Sequence, residues 1–82
     1  SKSPAITLDK LPVRAVATIH DIKAGHHDGG ALKRRLMELG FLPGQMVVAC
    51  HAAPGGDPRV FRVDGAEFAL RNETSNRMYL SA

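Results

Sequence analysis

The sequence predicts a mostly β fold, a small barrel of about five short strands with one α-helix inserted between strands 1 and 2. Three observations lead to this expectation. The chain has 82 residues, which is enough for one thin core. A single segment repeats its apolar residues with a helical period. Several other segments have the length and turn boundaries of strands, and short strands protect their edges best by closing into a barrel.

The predicted helix has a defined face and a defined end. Leu32, Leu36 and Leu39 recur at positions i, i+4 and i+7, so they share one side of the helix. Gly40 follows at the position where a helix needs a positive φ, which glycine adopts at little cost. This ending would bring Phe41 against Leu36.

Two dipeptides predict tight turns between the later elements. Pro43-Gly44 supplies the fixed φ and then the positive φ of a type II turn. Asp64-Gly65 lies between two apolar runs and is a strong hairpin signal. Together these turns predict where the second, third and fourth strands begin and end.

The strands are predicted at residues 14–22, 45–53, 59–63, 66–71 and 78–80, with a polar turn at 72–76. Period-two alternation places Phe61 and Val63 on one face of their strand, and the partner strand has an apolar face of its own. The charged side chains expected to point outward are Arg59, Glu67 and Arg71. The alternation leaves open whether Cys50 or His51 faces the core, since both of its sets are apolar.

Composition is consistent with a single domain over residues 1–82, in which residues 1–6 are expected to be frayed. No apolar run approaches the length of a membrane span, and no signal-peptide pattern is present. The one cysteine cannot form an internal disulfide, which favours the cytoplasm. The net charge of +3 fits a solvated surface and leaves an acidic partner possible.

Several short motifs follow one another along the chain at a characteristic spacing. They are Leu36, Leu39-Gly40-Phe41-Leu42-Pro43-Gly44, Ala53-Pro54, Gly56-Asp57-Pro58 and Leu70-Arg71. Together they resemble the FeoA family, small cytosolic proteins that accompany the bacterial ferrous-iron transporter FeoB. The resemblance covers roughly residues 13–80, nearly the whole chain.

The resemblance implies an SH3-like barrel, which agrees with the strand count. It also implies a non-enzymatic accessory role, exerted by binding the cytosolic part of FeoB. The contact would be made at the GTP-binding domain of FeoB or at its membrane-proximal face. The protein would then be peripheral to the membrane only through this partner. A homodimer is also plausible, because a small barrel has exposed edge strands.

The predicted contact surface surrounds the end of the helix. Its residues are Arg35, Leu36, Met37, Leu39, Phe41 and Leu42. Methionine adapts to varied surfaces and arginine can pair with an acidic partner. For Phe41 the more ordinary explanation is a role in the core beside the helix end.

A catalytic site is not expected. Cys50 and His51 are neighbours on a strand, so their side chains point to opposite faces and cannot act together. No spacing matches a nucleophile motif or a nucleotide-binding loop. The sequence therefore predicts that the protein is not an enzyme.

A divalent metal site is a weaker expectation. His26, His27 and Asp28 form a glycine-flanked cluster whose ligand types suit zinc or ferrous iron, and His20 and His51 could complete it. The more ordinary explanation is that these are loop and edge residues, and no cofactor is required.

Two rival functions follow from these features. One is a metal-responsive module, which could bind its ion as a metal-bridged dimer. The other is a small nucleic-acid-binding barrel, which the modest charge and the few aromatic residues argue against. We therefore expect no nucleic-acid partner.

Overall fold

The computed structural model describes residues 6–25 and 27–81, and its centre is one antiparallel sheet of five strands. The strands are β1 (Val16–Ile22), β2 (Met46–Ala52), β3 (Arg59–Val63), β4 (Ala66–Leu70) and β5 (Met78–Leu80). Their spatial order is β4-β3-β2-β1-β5. The predicted fold class, five strands with a helix between the first two, is confirmed.

Two α-helices connect the strands. Helix α1 (Ala31–Leu39) lies between β1 and β2, and the one-turn helix α2 (Asn72–Ser75) lies between β4 and β5, where a polar turn was expected. Two 3₁₀ turns, Leu8–Lys10 and Pro54–Gly56, complete the described elements. Within residues 6–25 and 27–81, no helix has the length and apolar character needed to cross a bilayer.

The core lies on one face of the sheet because side chains alternate along each strand. Val47 and Ala49 of β2 face the same side as Phe61 and Val63 of β3, and all four are buried. The other buried apolar residues are Leu8, Leu11, Ile19, Ile22, Leu36, Phe41, Met78 and Leu80. Helix α1 contributes Leu36 to this core, and its Leu32, Met37 and Leu39 pack against it from the margin.

The hairpin between β3 and β4 is built by Asp64 and Gly65. Their φ angles are 51° and 80°, and Val63 pairs with Ala66 directly across the turn. Two successive positive φ values give the twist that matches the flanking strands. This turn fixes the register that keeps Phe61 and Val63 in the core.

The expectation that Arg59 points outward was wrong. Arg59 lies two residues before Phe61 on β3, so alternation places both on the inner face. Its side chain is 8% exposed, and the guanidinium donates hydrogen bonds to the carbonyl oxygens of Asp9 (2.6 Å) and Leu11. It also lies 5.5 Å from the centre of the Phe61 ring. Arg59 therefore attaches the first 3₁₀ turn to the sheet.

The expected fraying of residues 1–6 does not extend to Ile6. Residues 1–5 are outside the described part of the chain. The backbone N–H of Leu80 donates to the carbonyl of Ile6 at 2.9 Å, and Thr7 pairs with Tyr79. This segment therefore adds a short pairing along the outer edge of β5.

Candidate functional site

The end of helix α1 is fixed by two backbone hydrogen bonds. Phe41 donates its N–H to the carbonyl of Leu36 at 3.0 Å, and Gly40 donates to the carbonyl of Met37 at 3.1 Å. Gly40 has a φ of 115°. This is the Schellman arrangement, in which the residue after the glycine contacts the last turn of the helix.

A type II turn follows at once and attaches this corner to β1. Gly44 has a φ of 92°, and Gln45 donates its N–H to the carbonyl of Leu42 at 2.9 Å across Pro43. Gly44 itself donates to the carbonyl of Ile19 at 2.8 Å. The helix end and the start of β2 are therefore held in one rigid position.

Burial divides the residues predicted to contact a partner. Leu36 and Phe41 are 2% and 0% exposed, so they belong to the core and offer no contact surface in this structure. Met37 and Leu39 are half-buried and pack against the core from its margin. Of the six residues predicted to contact a partner, these four are therefore wholly or partly buried.

Arg35 and Leu42 are the two exposed members of that set, and Leu42 is 38% exposed. Arg35 and Met37 are two positions apart on the helix, which separates their directions by roughly 160°. Arg35 and Met37 therefore flank opposite sides of the buried stripe and do not form one continuous patch.

The outer face of β1 and β2 carries large apolar side chains that were not predicted as a contact surface. Met46 and Val16 are 61% and 51% exposed. Thr18 lies opposite Met46, and Val16 lies opposite Val48 on the same face. The signal was present in residues 45–53, where both alternating sets are apolar, so one of them has to face outward.

A β-bulge decides the orientations of Cys50 and His51. Ala49 pairs with Phe61, but the next pair along the ladder is His51 with Val60, so the alternation shifts by one residue. His51 is consequently exposed, although it shares sequence parity with buried Ala49, while Cys50 is half-buried.

The residues of the weaker metal expectation do not form a site within the described part of the chain. His20, His27 and His51 are exposed, and His26 lies outside the described residues. Among residues 6–25 and 27–81, no three histidine, cysteine or acidic side chains come together as metal ligands. Asp28 has a separate, structural role.

Asp28 caps helix α1. Its carboxylate accepts hydrogen bonds from the backbone N–H groups of Gly30 (2.9 Å) and Leu32 (3.2 Å). The bond from Gly30, the bond from Leu32 and the charge of Arg77 together hold the pKa of Asp28 below its ordinary value. Both oxygens of this carboxylate therefore serve the helix N-terminus.

Comparisons with known proteins identify the fold and the family. The FeoA domain family model matches residues 6–82. FeoA of Stenotrophomonas maltophilia, solved in complex with zinc and described as an SH3 domain protein, is 35% identical with a TM-score of 0.85. That match covers 94% of this chain and 91% of the other.

Two further structures are similar over most of this chain. The solution structure of FeoA from Chlorobium tepidum is 25% identical, with a TM-score of 0.82, and the match covers 93% of this chain and 69% of that one. A manganese-dependent transcriptional repressor is 12% identical, with a TM-score of 0.79, over 100% of this chain and 44% of its own. At that identity the likeness concerns the fold alone. A comparison with curated proteins gives no match.

The family model spans residues 6–82, and a FeoA structure of 35% identity aligns over nearly the full length of both chains. The chain therefore belongs to the FeoA family, the accessory proteins of ferrous-iron transport, and has their SH3-like fold.

Proposed function

We propose that the protein is a non-enzymatic, cytoplasmic accessory protein that acts by binding the cytosolic part of the transporter FeoB. The GTP-binding domain and the membrane-proximal face of FeoB are the two regions it would contact. Membership of the FeoA family supports this function. The protein would then be peripheral to the membrane through its partner.

The observation that carries the proposal is the apolar outer face of β1 and β2. Met46 and Val16 remain largely exposed there, although a small domain gains stability from every apolar side chain it buries. Large exposed apolar side chains that share one face of a sheet mark a candidate interface. Leu42 lies on the turn that leads into Met46 and would extend the surface toward α1.

Backbone amide resonances of the labelled protein, titrated with the purified cytosolic region of FeoB, test this proposal. The expected result is a set of shifts centred on Val16, Leu42 and Met46. Met46→Glu should weaken the complex, because it places a charge at the centre of an apolar contact. Ile6→Ser is the matched control, since it removes an exposed apolar side chain beside β5, on the opposite edge of β1 from β2.

Two results would contradict it. If the resonances do not shift at high FeoB concentration, the soluble domain makes no direct contact. If the complex forms equally well with Met46→Glu, and the shifts surround Arg35 and Met37 on α1, then the contact surface is the one expected from the sequence.

Binding of a divalent metal ion, zinc or ferrous iron, is a second candidate function. The Stenotrophomonas maltophilia FeoA was solved in complex with zinc, which favours it. Among residues 6–25 and 27–81 no three candidate ligands come together, and we infer that the ion would bridge two copies as a metal-linked homodimer. His51 and His20 are accessible for this purpose, and His26, His27 and Asp28 are the remaining candidate ligands.

Sedimentation velocity with added zinc measures this directly. We expect a monomer that becomes a dimer with zinc and returns to a monomer with a chelator, and His51→Ala should weaken the transition. A sedimentation coefficient independent of zinc would remove this candidate.

A further inference from the structure

A cleft of about 500 Å³ lies where the end of β1 meets α2 and β5. It is lined by Lys23, Ala24, Glu73, Asn76, Arg77 and Tyr79. These residues are separate from the apolar outer face of β1 and β2. A ligand bound in the cleft would therefore occupy a different site from the proposed FeoB contact.

Two cationic residues, Lys23 and Arg77, lie at this cleft just beyond the last paired residues of β1 and β5. The N–H of Lys23 donates to the carbonyl of Arg77 at 2.8 Å, which continues the antiparallel pairing of Ile22 with Met78. Like charges in opposite positions of a ladder destabilise it. Among the carboxylates of the described residues, none forms an ion pair with Lys23 or Arg77. An anion placed between the two would remove this repulsion.

The guanidinium of Arg77 occupies space that is open because residue 25 is a glycine. A Cβ built on Gly25 would lie 2.6 Å from Nη1 of Arg77, so the guanidinium rests against the Gly25 backbone. Asp28 lies on the same side, with Oδ1 at 3.2 Å from that point, but its carboxylate is already bonded to the N-terminus of α1. The charge of Arg77 lowers the pKa of Asp28, but no ion pair joins the two side chains. Arg77 also lines the cleft, where its guanidinium can contact a ligand.

The other lining residues limit the charge and shape of that ligand. Lys23, Arg77 and Glu73 give the lining residues a formal charge of +1, and the Asp28 carboxylate near Arg77 reduces the local positive charge further. So small a charge suits a single carboxylate better than a phosphate with its greater negative charge. Asn76 offers an amide, and the half-buried ring of Tyr79 offers an apolar surface with a hydroxyl. A peptide segment with an acidic side chain has backbone amides that can bond to Asn76 and side-chain methylene groups that can pack on the Tyr79 ring.

We propose that this cleft binds one acidic side chain carried on an extended peptide segment, with Lys23 and Arg77 contacting the carboxylate. Glu73 accepts peptide N–H groups, and the Tyr79 ring packs on the aliphatic stem. The bound carboxylate neutralises the repulsion between the two cations, so binding also strengthens the end of the β1–β5 ladder.

The test is an amide-resonance titration of the whole chain with a short acetylated and amidated peptide that has one central glutamate. The same peptide with glutamine at that position, and inorganic phosphate, are titrated in parallel. We expect shifts at Lys23, Ala24, Arg77 and Tyr79 with the glutamate peptide, a dissociation constant in the millimolar range, and binding that weakens as salt is added.

Three variants separate the cleft from general charge effects. Arg77→Ala should weaken binding of the glutamate peptide about three- to fivefold, as for a partly exposed ion pair. Gly25→Ala should weaken it as well, because the new Cβ displaces the guanidinium of Arg77. Arg62→Ala is the matched control, since it removes one positive charge from β3, beyond β2, and should leave the affinity unchanged.

The proposal is overturned if glutamate and glutamine peptides bind equally, or if neither causes shifts at the cleft. Phosphate binding more tightly than the peptide would also overturn it. Arg62→Ala and Arg77→Ala weakening the peptide to the same degree would show a diffuse charge effect and no cleft site.

Discussion

Arg59 shows how one side chain can organise a terminal segment of a small domain. Its guanidinium reaches the backbone carbonyl of Asp9 in the first 3₁₀ turn and that of Leu11 just after the turn, and its stem is buried beside Phe61. A buried carbonyl that loses its donor retains the full cost of its desolvation. Arg59 therefore contributes to stability mainly by satisfying acceptors that no apolar residue could satisfy.

We expect Arg59→Ala to lower the free energy of unfolding by roughly 2–3 kcal/mol, since two charge-assisted hydrogen bonds are lost. Arg59→Lys should lower it less, because an ammonium can replace one of the two bonds but lacks the forked geometry. Urea unfolding followed by circular dichroism measures both. The control is Arg62→Ala on the same strand, whose side chain is 57% exposed and should matter little. Equal losses for Arg59→Ala and Arg62→Ala would contradict this assignment.

Gly40 gives a second prediction at the scale of one residue. A Cβ at this position would meet Asp64 and Val63 only at ordinary contact distances of 3.6 and 3.7 Å, so space is available. The cost of Gly40→Ala lies in the backbone, because a φ of 115° is strained for any other residue. We expect a loss of about 1–2 kcal/mol.

Gly25→Ala is the matched comparison for Gly40→Ala. Gly25 does not have a positive φ, and the atoms nearest to its new Cβ are side-chain ends, Nη1 of Arg77 at 2.6 Å and Oδ1 of Asp28 at 3.2 Å. Its unfolding midpoint in urea should stay close to that of the unmodified protein. If both variants lose the same stability, strain at Gly40 is not the cause.

At the scale of the element, helix α1 depends on a cap that titrates. The folded-state pKa of Asp28 lies below its ordinary value of 3.8, so the ionised carboxylate is the form that stabilises the helix. This contribution is complete above the unfolded pKa and is lost as the pH falls through the lowered, folded value. Acidification through the folded-state pKa of Asp28 should therefore weaken the N-terminus of helix α1.

We expect Asp28→Ala to lower the urea midpoint at neutral pH by an amount that stays constant down to the ordinary pKa of 3.8 and then shrinks. Asp28→Asn should keep part of the stabilisation that the cap provides, because its amide oxygen still accepts a hydrogen bond, and this part should not depend on pH. The pKa of Glu67 is also lowered, through its hydrogen bond from Arg62, but Glu67 titrates in every variant and cancels in the difference. A difference that grows on acidification would contradict the cap.

The elements also show where sequence reasoning succeeds. The helix and the β3–β4 hairpin follow from local chemistry, the period of the leucines and the turn at Asp64-Gly65, and the structure contains both. The exposure of His51 could not be predicted, because a bulge after Ala49 is set by pairing with a distant strand. Arg59 was predictable from its parity with Phe61, but a charged residue in a core is the less common choice.

The apolar outer face of β1 and β2 was the least predictable feature. Both alternating sets of residues in β2 are apolar, and the sequence does not indicate which set faces the core. At the scale of the whole molecule, one sheet of five strands provides the core on its inner face and the proposed interface on its outer face. Met46 and Val47 are adjacent in β2, yet their exposed fractions are 61% and 0%. The inner set stabilises the fold, and the outer set is available for binding. Stability and partner binding should therefore be separable along a single strand.

Adjacent substitutions on β2 test that separation. Val47→Ala removes buried methyl groups and should lower the free energy of unfolding by roughly 2 kcal/mol, while the folded fraction still binds the cytosolic region of FeoB. Met46→Ser should leave the unfolding midpoint nearly unchanged and weaken FeoB binding, because it removes apolar area from the proposed interface. Urea unfolding and binding isotherms on the same preparations give the two readouts. If Met46→Ser reduces stability as much as Val47→Ala, Met46 serves the fold, and the outer face is not a free binding surface.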